Sequence, residues 1–251
     1  MFTTINIVKE KIHLQYDIYG KGKPILFIHG GGTDYHFHET FISQLSKYYQ
    51  VFAFSYPGFG KSSNMKKYSL DNYLNLIDQF LINMNLNSIC IIGHSMGAGL
   101  ATAYASTHPE RVVSVVLLSP FLYPYQKNIV TLASNMTKQG VIEKEYIPSY
   151  QQIKNGKIAL ILSKMNKLSK SINLLKLYLF LRNEDISKYL NFSISTLGVI
   201  GEKDIILDPQ DQLKGLNKLE NIKILKYPLN GHHVLFIKKE EIVRKIREIY
   251  S

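Results

Sequence analysis

With one cysteine in 251 residues, the chain cannot close a disulfide on itself. Cys90 stands inside a short apolar run and reads as a small buried hydrophobe, which fits a reducing compartment. No apolar run approaches the roughly 20 residues that cross a bilayer. The longest lies around Val112 to Leu118. The first twenty residues alternate polar and apolar and carry Lys9, Glu10 and Lys11, so they hold no apolar core of an export signal. These absences point to the cytoplasm, without stable insertion in a membrane. Acid is scarce beside base, 19 Asp and Glu against 30 Lys and Arg, giving a net charge of +11. The excess gathers in residues 121–193, where the only acids are Glu143, Glu145, Glu184 and Asp185. A basic surface can attract anionic substrates or membranes. The plainer account is compositional, since Lys, Asn, Ile and Tyr are plentiful throughout. No nucleic-acid-binding motif accompanies the charge, so no nucleic-acid partner is expected. Nor do cysteines or carboxylates gather at ligand spacing around His36 and His38, which alternation would put on one side of an extended stretch; no metal is expected. Internal repeats and linkers are lacking as well.

What is present is an ordinary globular composition, 45% hydrophobic and 20% charged, in a chain long enough for one large α/β domain. The stretch that organises it is Ile89-Cys90-Ile91-Ile92-Gly93-His94-Ser95-Met96-Gly97-Ala98-Gly99. A buried parallel strand reads as a short continuous apolar run because both of its faces are covered. Small residues after Ser95 continue as a helix. Gly-x-Ser-x-Gly between a strand and a helix lifts the serine out on a tight turn. Gly93 and Gly97 leave room where a Cβ would meet neighbouring chain. Met96 would open the helix with an N–H free to donate to a developing oxyanion. An ordinary glycine-rich βα turn is the alternative, and the rest of the chain decides between them.

Residues 2–8 and 12–19 alternate and read as two antiparallel edge strands. Apolar runs at 25–28, 51–54, 89–92, 112–118, 195–200 and 222–227 read as further strands. Helical spacing joins Phe37, Phe41, Ile42 and Leu45. A longer helix opens at Ser69 and runs through Tyr73, Ile77, Phe80 and Met84, and others cover 209–216 and 240–250. This alternation of apolar strands and helices predicts a mostly parallel, doubly wound sheet of the α/β class. Ligands bind such sheets at the carboxyl ends of the strands, where the glycine-rich loops 29–32, 57–60 and 93–99 fall. The alternation stops after Pro120. From 121 to 193 no strand is convincing, and Ile158, Ile161, Met165, Leu168, Ile172, Leu175 and Leu179 form a helical stripe that Ser169, Ser171 and Asn173 should split in two. The expected organisation is a core of residues 1–120 and 194–251 with a helical cap at 121–193.

With these residues in place, the chain resembles the α/β-hydrolase superfamily, its serine-nucleophile, esterase- and lipase-like members with a helical cap inserted after the sixth strand. The resemblance covers essentially residues 12–249. Its nucleophile elbow matches Gly93-His94-Ser95-Met96-Gly97. Its acid, in a Gly-x-x-Asp setting after a late strand, matches Asp204 of Gly201-Glu202-Lys203-Asp204, with Asp208 the rival. Its histidine, after a glycine beyond the last strand, matches His232, with His233 adjacent. The resemblance implies that Ser95 attacks, His232 takes its proton and Asp204 orients the imidazole. His29-Gly30-Gly31-Gly32 resembles the oxyanion loop, which implies N–H donors at Gly31, with Gly32 as its near alternative, and at Met96. His29 would support that loop. Phe121, Tyr123 and His94 are candidate substrate contacts. The implied activity is hydrolysis of a small to medium acyl compound, an ester or thioester, without a cofactor. Cleavage of a carbon–carbon bond in a vinylogous diketone is an alternative, and so is a non-catalytic ligand-binding protein on the same fold. Two departures stand out. Ser55 occupies a position where the superfamily often has Asp, and Val234 to Lys239 lacks the acid and proline often found after the histidine.

Overall fold

The computed structural model of the protein describes residues 1–7, 10–143 and 167–251. Eight strands form one sheet: β1 (Phe2–Ile7), β2 (Glu10–Tyr19), β3 (Pro24–Ile28), β4 (Gln50–Phe54), β5 (Ile89–His94), β6 (Val112–Leu118), β7 (Ser195–Gly201) and β8 (Ile222–Tyr227). Their order is β1-β2-β4-β3-β5-β6-β7-β8. β2 pairs antiparallel with β1 and β4, and every pairing from β4 through β8 is parallel. The apolar runs become strands because both sheet faces are covered. Along β3, Leu26 and Ile28 join one buried cluster with Leu76, Ile77 and Phe80 of helix α2 (Leu70–Asn83). Ile25 and Phe27 join the other, with Phe41 and Ile42 of α1 (Glu39–Leu45). Cys90 lies in that second cluster, and burial pushes its thiol up to about 12.

The chain leaves β3 toward β4 on one side, then returns to place β5 on the other side of β3. That reversal opens a crevice at the carboxyl ends of β3 and β5, the place where open α/β sheets bind ligands. The glycine loop after β3 and the serine turn after β5 flank it. α3 (Met96–Thr107) follows β5 directly.

Between β6 and β7 the described residues contribute α4 (Ile129–Ile142) and α5 (Lys167–Asn183), a short 3₁₀ turn, and no strand. Asn128 caps α4 by accepting from the Thr131 N–H at 2.9 Å. The expected break at Ser169, Ser171 and Asn173 does not occur, because α5 runs through all three. Neither Pro nor Gly lies within it, and Ser or Asn lowers helix propensity by only about 0.5 kcal/mol. The expected stripe also shifts. Ile158, Ile161 and Met165 lie outside the described residues, Leu175 and Leu179 are exposed, and Leu177, Phe180 and Leu181 are buried. Leu174 to Leu181 is apolar on nearly every phase, so spacing alone could not choose the buried face.

Pro209 opens α6 (Pro209–Leu216) at its first position, and Asp208 caps it, accepting from the Gln210 N–H at 2.8 Å. Capping accounts for the aspartate that rivalled Asp204. The chain ends in α7 (Val234–Ile237) and α8 (Lys239–Ile249). Among the described residues no helix is long and apolar enough to cross a membrane.

Candidate active site

Ser95 sits between β5 and α3 at φ 55° and ψ −118°, a conformation that L-residues avoid. The turn is held shut from both sides. A Cβ on Gly93 would lie 2.3 Å from the Gly97 carbonyl oxygen, and one on Gly97 would lie 2.3 Å from that of Ile28. Both clashes are with backbone, so only glycine fits at either position. Met96 is the first helical residue, its side chain buried and its N–H among those a helix leaves without an intrahelical acceptor.

Asp204 lies in the loop after β7, almost fully buried. One carboxylate oxygen accepts from the Ile206 and Leu207 N–H groups at 2.8 and 3.0 Å. The other accepts from Gln212 Nε2 at 3.0 Å and from His232 Nδ1–H at 2.7 Å. The carboxylate thereby assigns the His232 tautomer and leaves Nε2 as the lone-pair nitrogen. Gly201 makes this approach possible, since a Cβ there would lie 2.1 Å from the Gly231 carbonyl oxygen.

Behind these groups a line of buried imidazoles fixes the His232 backbone. The His232 carbonyl accepts from Ser119 Oγ at 2.9 Å and from His94 Nε2 at 3.1 Å. His94 must then accept at Nδ1, and His38 Nε2 donates to it at 3.0 Å. On the other rim loop, the Tyr56 N–H donates to His29 Nε2 at 3.0 Å, so His29 carries its proton on Nδ1 and donates to the Gly30 carbonyl at 2.7 Å. Thr33 Oγ1 donates to the same carbonyl at 3.3 Å. In a trans peptide, C=O and the following N–H point in opposite directions. Holding the Gly30 oxygen therefore aims the Gly31 N–H the other way.

A cavity of about 220 Å³ joins these parts, with Gly30, Gly31, His94, Ser95, His232 and His233 among its lining residues. Its remaining walls include Phe37, Leu132, Met136, Leu177, Leu181, Ile206 and Leu207. Thus the structure puts Ser95, His232, Gly31 and His94 on one cavity, with Asp204 directly behind His232. It does not bring Phe121 and Tyr123 there. The Phe121 N–H donates to the Ser95 carbonyl at 3.1 Å, which draws the chain behind the turn. Phe121 is buried against Gly99 and Phe180, and Tyr123 lines a neighbouring cavity. His36 and His38 also part company. Their segment is a 3₁₀ turn, so side chains two residues apart diverge; His36 is exposed beside Asp34 while His38 is buried. Among the described residues no group of three or more His, Cys, Asp or Glu could hold a metal ion. His233 both lines the cavity and stands at the N-cap position of α7, without a capping bond from its side chain.

Gln212, Glu143 and Gln139 escaped the sequence reading, and His38 entered it only beside His36 as a metal candidate. Only Gln212 had a local signal, one turn into the helix that Asp208-Pro209 announces. The others reach the site from segments far away in the chain.

Burial holds the imidazoles in their neutral form. It pushes His29 down to about 4, and His38 and His94 well below the ordinary range. The unfolded chain binds protons at these histidines below about pH 6.5. Between there and pH 4 it binds more protons than the folded chain, so stability is lost as pH falls through that window. His29, His38 and His94 all act in this direction. The melting temperature is therefore expected to fall between pH 7 and pH 4.5, by roughly 2–4 °C for each kcal/mol lost. His29→Gln, which cannot titrate, should flatten the decline, and equal slopes in both proteins would refute this account.

The family model for the alpha/beta hydrolase fold matches residues 23–155, and the chain belongs to that family. Over 94% of its length it is 25% identical to putative esterase/lipase 3 of Mycoplasma genitalium, covering 90% of that protein. The first curated relatives are matched over a smaller part, the chain spanning 23% of one and 37% of another. Its fold is that of an esterase from Exiguobacterium antarcticum, with a TM-score of 0.80 at 19% identity and both chains covered completely. A meta-cleavage product hydrolase from Pseudomonas fluorescens superposes with a TM-score of 0.72 at 19% identity, over 99% of this chain and 97% of that one.

Proposed function

We propose that the protein is a serine hydrolase that cleaves carboxylic esters or thioesters of small to medium acyl groups through an acyl-enzyme on Ser95. The observation that carries this reading is the 2.7 Å hydrogen bond from His232 to buried Asp204, on a cavity shared with a serine at a strained strand-to-helix turn. His232 Nε2 takes the Ser95 proton as Oγ bonds to the acyl carbon. The Gly31 and Met96 N–H groups bind the oxyanion. The carbonyl re-forms, the bond to the alcohol or thiol breaks, and His232 returns the proton to that leaving group. Water repeats the sequence on the acyl-enzyme and releases the acid. Every proton and electron pair is supplied by Ser95, His232, water and substrate, so the scheme calls for no cofactor. Segment 121–193 is the cap, and α4 and α5 bring Leu132, Met136, Leu177 and Leu181 to the cavity wall. The likeness to putative esterase/lipase 3 and to the bacterial esterase points the same way.

Cavity size sets the acyl range. A cavity of about 220 Å³ walled by Leu132, Met136, Leu177 and Leu181 suits a short to medium acyl chain. Across p-nitrophenyl esters from acetate to dodecanoate, kcat/KM should peak between butanoate and hexanoate and fall beyond octanoate. A peak at dodecanoate would refute the size argument. The reaction itself is tested with a fluorophosphonate, which labels an activated serine. Label recovered on the peptide bearing Ser95 supports the reading, and its absence there overturns it.

A further inference from the structure

One face of α4 is polar although it is buried. Asn135, Gln139 and Glu143 recur every four residues and so share a face of the helix and its C-terminal cap. Asn135 Nδ2 donates to the Ile205 carbonyl at 2.6 Å, and Gln139 Oε1 accepts from the Ile205 N–H at 3.1 Å. Ile205 is the residue after Asp204. Glu143 Oε1 accepts from the Gly231 N–H at 3.1 Å, and Oε2 accepts from the His233 N–H at 3.2 Å and from His233 Nδ1 at 2.7 Å. Gly231 and His233 are the residues on either side of His232. Glu143 and Gln139 are 3% and 1% exposed, and the three bonds to Glu143 form away from water, where losing them is costly.

The fit leaves no slack. A Cβ on Gly231 would lie 2.0 Å from Gln139 Nε2 and 2.8 Å from Glu143 Oε1. The glycine before His232 is therefore also the seat of α4. An adjacent stripe of the same helix, Leu132, Met136 and Gly140, walls the cavity. One helix thus touches the acyl site with one stripe and holds both loops behind it with the next.

We propose that Glu143 and Gln139 are positioning residues, through which the cap helix sets the loops bearing Asp204 and His232 for acyl transfer. This inference rests on the serine-hydrolase reading. A shift of about 1 Å in a reacting group costs up to about 100-fold in rate, so the effect belongs in kcat and not in KM. Glu143 supplies two acceptor oxygens to three donors. Glu143→Gln keeps one acceptor and turns an amide N–H₂ toward another donor, so it should lose part of what Glu143→Ala loses.

The test measures kcat and KM on p-nitrophenyl butanoate for wild type, Glu143→Gln, Glu143→Ala and Gln139→Ala, with Val130→Ala on the exposed side of α4 as control. Rates are expressed per Ser95 labelled to completion by fluorophosphonate, which counts folded sites whatever their labelling rate and discounts unfolded protein. Glu143→Ala should lower kcat about 100-fold and Glu143→Gln about tenfold, with KM within threefold and the control unchanged. Should Glu143→Ala fail to fold, Glu143→Gln and Gln139→Ala decide. A second readout is independent of turnover. The Ile206 and Leu207 amides, which donate to Asp204 and not to α4, should lose hydrogen-exchange protection in Gln139→Ala. Wild-type kcat per labelled serine with unchanged exchange, whatever the melting temperature, overturns the proposal. Absence of label on wild-type Ser95 instead overturns the underlying reading, and the exchange measurement still judges the positioning.

Discussion

Ser95→Ala should lower kcat on a short p-nitrophenyl ester by roughly 10⁴- to 10⁶-fold and abolish fluorophosphonate labelling. KM should change little, because the cavity walls proposed to hold the acyl group are untouched. What the hydroxyl supplies cannot come from a neighbour. Ser119, the other serine close by, already donates to the His232 carbonyl and does not line the cavity. A residual rate above that in water is expected from the oxyanion donors and from binding alone. The same position carries a stability signature. At φ 55° and ψ −118° any residue with a Cβ is strained by about 1–3 kcal/mol. Glycine escapes that strain but loses about 0.5–1 kcal/mol through its freer unfolded chain. Ser95→Gly should therefore be inactive yet more stable than Ser95→Ala by about 1 kcal/mol, or ~2–4 °C in melting temperature. A glycine variant less stable than the alanine variant would show that the turn is not strained. Full activity in Ser95→Ala would remove the basis of the proposed function.

The parts of the site that sequence made legible are those whose signal is local. An apolar run of five or six residues covered on both faces has few alternatives to a parallel strand, and β3 to β7 follow such runs, whereas β8, at the sheet edge, carries Lys223 and Lys226. Gly93 and Gly97 are fixed by contacts with chain only a few residues away or at the end of the neighbouring strand, so their spacing around Ser95 announces the turn. Asp204 and His232 stand just past the ends of β7 and β8, which puts them on the same rim as Ser95. Long-range contacts have no such signature. Glu143 meets Gly231 across 88 residues, and His94 meets the His232 carbonyl across 138. Phe121 and Tyr123 misled for a related reason. Their place after β6 suggested the rim, and only the bond from the Phe121 N–H to the Ser95 carbonyl shows that the chain turns inward.

Asp204→Asn should reduce kcat about 10⁴-fold, and the hydrogen bonds around the carboxylate say why. Two backbone N–H groups converge on Oδ1, so the single carbonyl oxygen of an asparagine is drawn there. Its N–H₂ then faces His232 Nδ1 and Gln212 Nε2. Donating to Nδ1, it drives the imidazole proton onto Nε2, the nitrogen that accepts from Ser95 in the proposed scheme. The base is thereby turned into a donor without any change in its position. Meeting Gln212 Nε2, the new N–H₂ also opposes two donors in a buried place, a conflict worth about 1–3 kcal/mol. Gln212 can relieve part of it. Among the described residues its Oε1 has no hydrogen-bond partner, and a flip of the amide would offer that oxygen to the asparagine at the expense of the bond from Nε2 to the Leu207 carbonyl. The variant should therefore remain folded, with a modestly lower melting temperature, and fluorophosphonate labelling of Ser95 should slow in parallel with turnover. Removing the Gln212 amide as well, in Asp204→Asn with Gln212→Leu, should recover stability and leave the rate low. That separates the two consequences of one substitution, since the stability cost comes from opposed donors and the rate cost from the tautomer. Turnover of Asp204→Asn within tenfold of wild type would mean that Asp204 does not orient the base.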